Sequence, residues 1–170
     1  MAPLGMSRWL VVANQTLGGT ALPWVVATRV KFEGVTVHVV VPATDPAHEH
    51  PPVTGSASQN AHRRLREALE RLGAEGIAAT GEVGHADPTQ AISDALSTGS
   101  CEGLVISTLP AGVSRWLHAD LPHRAAHRFN LPVEVIEART DAPNEATHSQ
   151  ILLDAFSKRG LEAMTERSLK

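Results

Sequence analysis

Short apolar runs alternate with amphipathic stretches along most of the chain. Arg8–Ala13 (RWLVVA) is brief, β-branched and apolar, the pattern of a strand buried on both faces. Leu17–Thr20 reads as a glycine-containing turn. Leu22, Val25, Val26 and Val30 then follow helical spacing, with Thr20 as N-cap, Pro23 in the first turn and Gly34 as the stop. Val35–Val41 (VTVHVVV) predicts a second strand, ended by Pro42. Ala43–Gly55 carries several prolines and reads as an exposed loop. Ser56–Gln59 has capping-box chemistry, a hydroxyl for the helix N–H groups and an amide to reach back. Ala61, Leu65, Ala68, Leu69 and Leu72 form one stripe behind it, and Gly73 is the expected stop. Ile77–Val83 predicts a third strand. Asp87–Gln90 (DPTQ) predicts another helix start, with Asp87 as cap, Pro88 at the first helical position and Gln90 reaching back. Gly99 ends that helix. Gly103–Ser107 and Leu131–Ala138 predict a fourth and a fifth strand, the fifth alternating in polarity as an edge or interface strand does.

Strand and helix therefore alternate through residue 138. That order predicts an α/β fold, a three-layer sandwich around a parallel sheet with right-handed crossovers. Residues 1–138 form the expected domain, and 139–170 an appended helical segment or tail. Ligands of such sheets sit outside the carboxyl ends of the strands, where strand order reverses. Asn14–Thr20, Pro42 onward, Gly84–Asp87 and Thr108–Asp120 are the segments that should reach that place.

Composition narrows the function classes. The 170 residues are 42% hydrophobic, enough to bury a core in one domain. No apolar run approaches the roughly 18–20 residues of a membrane span, and Met1–Met6 lacks a signal-peptide pattern, so a cytoplasmic protein without membrane contact is expected. The net charge is −3 and aromatics are 4%, which disfavours nucleic-acid binding by a basic groove or a stacking platform. The single cysteine, Cys101, excludes an internal disulfide and a thiolate zinc cage. Its neighbour Glu102 argues against a thiolate there.

Four passages, taken together, resemble the universal stress protein family. LVVANQT at Leu10–Thr16 resembles its first strand and the turn after it, and HVVVP at His38–Pro42 the end of its second. GHADPTQAI at Gly84–Ile92 resembles its Gly–Asp–Pro helix start, and Gly103–Ser107 with LPVEVI at Leu131–Ile136 its last two strands. The resemblance covers roughly Arg8–Ala138. It implies a five-stranded parallel sheet in order 3-2-1-4-5 and a homodimer joined through Leu131–Ala138. One branch of that family binds nucleotide and another does not. The binding branch carries a Gly, two residues, a Gly, nine residues, then Gly–Ser. Aligned on Pro132, those positions here are Ile106, Leu109, Ala119 and Asp120, and the acid of the first strand is Asn14.

The segment that replaces this motif, Ser107–Arg128, supplies most candidate site residues. Ser107, Thr108, Ser114 and Arg115 can donate to an anion, and Asp120 before Leu121–Pro122 reads as an N-cap whose carboxylate would oppose a triphosphate. Ala13, Asn14, Val39 and Val105 complete the expected ligand contacts at the strand ends. His38 on an interior strand reads as a hydrogen-bonded core residue, and Trp116 as core. His123 and His127 stand at i, i+4 with His118 nearby, a spacing that can hold zinc or copper; a titratable exposed face is the plainer reading and no metal is expected. His48 and His50, with Asp45 and Glu49, read as solvated loop residues. No phosphate loop, dinucleotide fingerprint or hydrolase elbow is present. The expected function is a noncatalytic, dimeric regulatory or binding module of stress response, with weak or no ATP binding and an unnamed protein partner. The alternative is an ATP-binding stress protein with an unorthodox phosphate loop and slow hydrolysis.

Overall fold

The computed structural model describes residues 7–18, 25–27, 30, 34–45, 55–110, 112 and 114–137. The expected Thr20 cap, the loop residues His48, Glu49 and His50, and the 139–170 segment lie outside them. Five strands, β1 (Arg8–Val12), β2 (Thr36–Pro42), β3 (Ala79–Gly84), β4 (Gly103–Thr108) and β5 (Val133–Glu137), form one sheet in the order β3-β2-β1-β4-β5. Every neighbouring pair is parallel. A parallel sheet needs a covered surface on both faces, and the strand sequences meet that need with near-continuous apolar runs. On one face Val11, Val37, Val39 and Val105 pack with Leu65, Ala68 and Leu72 of α1 (Ala57–Ala74) and with Val26. On the other, Leu10, Val12, Val40, Leu104 and Ile106 pack with Ala91, Ile92 and Ala95 of α2 (Pro88–Thr98) and with Leu121 and Ala125 of α4 (Leu121–Phe129). Between β4 and α4 lies a four-residue helix, α3 (Arg115–His118), which no periodicity announces.

Local chemistry explains most boundaries. Ser56 Oγ accepts from the Gln59 N–H at 3.1 Å, and Asp87 Oδ1 from the Thr89 N–H at 2.7 Å, so both helices start where their caps stand. Gly34 takes positive φ and donates its N–H to the Val30 carbonyl. Two expectations are corrected. The first helix stop is not Gly73: α1 runs through Ala74, and the left-handed residue that turns the chain is Gly76. Gln90 does not reach back to the Asp87 backbone; its Nε2 donates forward to Asp94 at 2.7 Å, one helical turn away on the exposed face.

Glycines on β3 let helices approach from both sides. A Cβ at Gly81 would lie 2.6 Å from Leu65 Cδ1 and 2.7 Å from the Val39 carbonyl oxygen, and one at Gly84 would lie 2.7 Å from Ala91 Cβ. At the opposite end of the sheet the Trp9 indole rests on Gly103, where a Cβ would fall 2.4 Å from the ring.

Candidate functional site

Strand order reverses between β1 and β4, so their carboxyl ends open the crevice where this architecture places ligands. Short polar side chains gather there. Asn14, Thr16, Ser107, Thr108 and Ser114 are all buried. Asn14 leaves β1 into a 3-10 turn, Gln15–Gly18. Its Nδ2 donates to the Pro42 carbonyl at 3.0 Å, and its Oδ1 accepts from Arg64 Nη1 at 2.5 Å. Thr16 Oγ1 donates to the Ser107 carbonyl at 3.2 Å. These bonds tie the ends of β1, β2 and β4 together and fasten α1 over them. Arg71, two turns further along α1, donates to the Leu17 carbonyl and holds the 3-10 turn from the same helix. Thr16, Arg64 and Arg71 carry no motif. The i, i+7 spacing of the two arginines on the helix that must cover β1 was the available signal.

Among the described residues, two buried hydroxyls at the carboxyl ends of the strands are not satisfied, Thr44 Oγ1 just beyond β2 and Thr108 Oγ1. Thr108 Oγ1, at the last residue of β4, is buried and has no hydrogen-bond partner. Such a group costs about 1–3 kcal/mol unless something meets it.

In the segment after β4, five N–H donors are bonded within the segment itself. The Ser114 N–H donates to Pro110 O, Leu117 N–H to Ser114 Oγ, His118 N–H to Ser114 O, Ala119 N–H to Arg115 O, and Asp120 N–H to Leu117 O. Ser114 is therefore the cap of α3. The reading of Asp120 as a cap is corrected: its side chain makes no cap bond, and its backbone is left-handed, with φ 51°. Pro122 removes the N–H at the second position of α4, and the Asp120 carboxylate turns outward to His123 Nδ1 at 3.2 Å. A second correction concerns Ile106. It is fully buried inside β4, paired with Val12 and Val135, so the first glycine position of the nucleotide motif falls in the core and not at the loop.

Of the expected contacts, Ala13, Asn14, Ser107, Thr108 and Ser114 meet at the strand ends. Val39 and Val105 do not. Both lie within their ladders and point into the core beneath α1. Arg115 is exposed on the first turn of α3. His38 has the expected core role: Nε2 lies 3.3 Å from Glu82 Oε1 and Nδ1 2.7 Å from Thr80 Oγ1. A carboxylate only accepts, so Nε2 carries the hydrogen and, in the neutral ring, Nδ1 accepts from the threonine hydroxyl. Trp116 is half-buried against the second core cluster. Burial raises the Cys101 thiol above its ordinary value against the opposing pull of Arg8. Glu102 turns away to Ser7 Oγ at 2.5 Å, so burial, rather than the neighbouring carboxylate, keeps the thiol protonated. Among the described residues no group of three or more His, Cys, Asp or Glu side chains is placed to hold a metal ion.

The comparison with solved structures follows from this geometry. A universal stress protein of Arabidopsis thaliana with AMP bound superposes with a TM-score of 0.56 at 11% identity, over 79% of this chain and 94% of that one. The universal stress protein of Archaeoglobus fulgidus in complex with dAMP gives 0.52 at 16% identity, over 79% of this chain and 98% of that one. A universal stress protein in complex with cAMP gives 0.52 at 15% identity, over 78% and 97%. The fold is that of the universal stress proteins. No protein-family model and no curated protein sequence matches the chain. The universal stress fold is thus carried here by sheet order and helix placement at 11–16% sequence identity. No helix among the described residues is long and apolar enough to cross a membrane.

Proposed function

We propose that this chain is a noncatalytic, dimeric regulatory module of stress response, cytoplasmic, that binds ATP no more tightly than about 1 mM, or about −4 kcal/mol. The observation that carries the reading is the β4–α4 loop. Five of its N–H groups are bonded internally, from Ser114 and from Leu117 through Asp120, so a triphosphate could not use those donors without breaking their bonds. Leu109 and Ala119 add side chains where backbone must approach phosphate closely. Asn14, which stands where the family's acid falls, has its carbonyl oxygen and its amide engaged with Arg64 and Pro42. Calorimetry with magnesium–ATP tests the proposal, and micromolar affinity would refute it. A phosphate-release assay on the purified protein tests the absence of hydrolysis.

The dimer belongs to the same reading. β5 pairs only with β4 and is an edge of the sheet, and its Val135 is 39% exposed, the one large apolar side chain so exposed among the described residues. Light scattering at micromolar concentration should give the mass of two chains.

A second reading, an adenine nucleotide site, is favoured by the AMP, dAMP and cAMP of the neighbouring structures and by the unpartnered Thr108 hydroxyl. A ligand with one phosphate asks less of the loop than ATP does. Mass spectrometry of small molecules released on denaturation, followed by calorimetry with AMP, separates the two readings.

A further inference from the structure

The geometry points to the exposed face of α4 as a docking surface for an acidic, extended polypeptide segment of a partner protein. α4 buries Leu121 and Ala125 and half-buries Pro122, Ala126 and Phe129. What remains toward solvent is His123, Arg124, His127 and Arg128, two i, i+4 pairs side by side. Arg115 and His118 on α3, also exposed, extend the same region. From residue 115 to 130 three arginines face one aspartate, a balance of +2 with neutral imidazoles, so the rest of this −3 chain carries −5. Protonation of the three imidazoles would bring the segment to +5. α1 has a +2 balance too, but its arginines are engaged with Glu67, Glu70, Asn14 and the Leu17 carbonyl; α4 contains no acid, and that unopposed cation on one short helix is the feature to be explained.

Its chemistry selects among anionic partners. The exposed face holds no apolar side chain to enter a bilayer, which interfacial helices require. The one aromatic ring on α4, Phe129, is covered by Arg128 at 5.6 Å, so a stacking platform for bases is not offered. A helix of this length spans about 13 Å, too short to gather the many phosphate contacts that overcome the repulsion of an acidic chain. An extended peptide fits better. Alternate residues of a strand repeat every 6.5–7 Å or so on one side, close to the one-turn separation of Arg124 and Arg128. Carboxylates at every second position can therefore meet both guanidiniums, each in fork geometry. The Arg128 guanidinium carbon lies 5.6 Å from the centre of the Phe129 ring, and Arg124 Nη1 lies 3.5 Å from the Ala119 carbonyl oxygen.

The imidazoles make the surface pH-sensitive. The charged groups on elements packed against α4 are Arg115 and His118 on α3, Asp94 on α2, and Glu134 and Glu137 on β5, with Asp120 immediately before α4. Asp120 pairs with one histidine of this face, His123, and His127 adds its charge beside Arg128. Protonation of these imidazoles adds positive charge and tightens the complex.

The test uses the full chain and a fluorescent Glu–Ser repeat peptide of about ten residues, read by anisotropy at low salt. The expected result is saturable binding, about tenfold or more weaker in the Arg124→Glu, Arg128→Glu variant, and tighter at about pH 5.5 than at about pH 7.5. In the His123→Gln, His127→Gln variant the pH 7.5 affinity should persist and the gain on acidification should shrink to what His118 alone supplies. All four positions are exposed, and circular dichroism checks that the variants fold. Absence of binding at both pH values, equal binding by the arginine variant, or an unchanged pH response in the histidine variant would overturn the proposal. So would tighter binding to duplex DNA or to vesicles of anionic lipid at the same salt.

Discussion

Asn14 is read here as a clamp on three strand ends, and substitution can separate that role from ligand recognition. Asn14→Leu keeps the approximate volume and removes both hydrogen bonds. The bond to the Pro42 carbonyl is neutral and contributes about 1 kcal/mol, and the bond from Arg64 is charge-assisted, worth about 1.5–3 kcal/mol. Arg64 is half-buried, so water recovers part of its loss, and Pro42 O keeps the Thr44 N–H at 2.8 Å. The net cost should be roughly 2–3 kcal/mol. Asn14→Asp keeps the acceptor for Arg64 and strengthens it to an ion pair, but loses the donor to Pro42 O. Those effects oppose one another, and the change should stay within about 1 kcal/mol. Urea denaturation at neutral pH measures both, provided the slope is constant across the set. A double cycle with Arg64→Met should give a coupling of about 1 kcal/mol or more for the leucine substitution. If Asn14→Leu costs less than about 0.5 kcal/mol, or if the aspartate variant is the worse of the two, the clamp account fails. Asn14→Asp should not restore ATP binding, because the loop donors remain committed.

Gly81→Ala should cost about 1–3 kcal/mol in thermal or chemical denaturation, since the methyl meets the Val39 carbonyl, which cannot move cheaply. Asp87→Ala should cost about 0.5–2 kcal/mol through its lost cap, whereas Asp120→Gly should stabilise by about 1 kcal/mol by relieving a left-handed backbone that caps nothing; equal effects at the two sites would contradict the cap assignments. Because folding raises the Cys101 pKa, the unfolded thiol ionises first as pH rises, so stability is intact below the ordinary thiol range and falls above about pH 8.5. Cys101→Ser should flatten that part of the pH–stability curve, and alkylation of the native thiol should be slow at neutral pH.

The sheet was legible because its strands carry their own punctuation. Pro42 ends β2, Gly34 precedes it, and Ser56 and Asp87 announce helices whose first N–H groups their side chains cap, without the returning amide expected of Gln90. Apolar runs too short for helices left strands as the consistent alternative, and alternation then dictated parallel crossovers. The site was less legible, since its bonds cross between elements far apart in sequence. Nothing near Asn14 indicates that Arg64 will occupy its oxygen. Asp120 misled for a local reason. Asp before Leu–Pro has cap composition, but α3 ends in a turn that draws the Ala119 and Asp120 N–H groups backward. The chain leaves that turn left-handed, and the carboxylate then faces His123 instead of the helix start. Ile106 failed as a glycine equivalent because it lies within the strand expected at Gly103–Ser107, with its side chain in the core.

The Trp9 indole on Gly103 carries a consequence for how the chain assembles. β1 has one sheet neighbour supplied early, β2, and another, β4, that follows only after α1, β3 and α2. Pairings distant along the chain pay the loop-closure entropy before any contact repays it, so they form late. The seam between β1 and β4 is therefore expected to close late in folding, and the crevice at its far end is completed with it. Stacking of Trp9 onto the Gly103 backbone marks that closure, which makes the indole a built-in optical reporter of the moment the crevice comes into being.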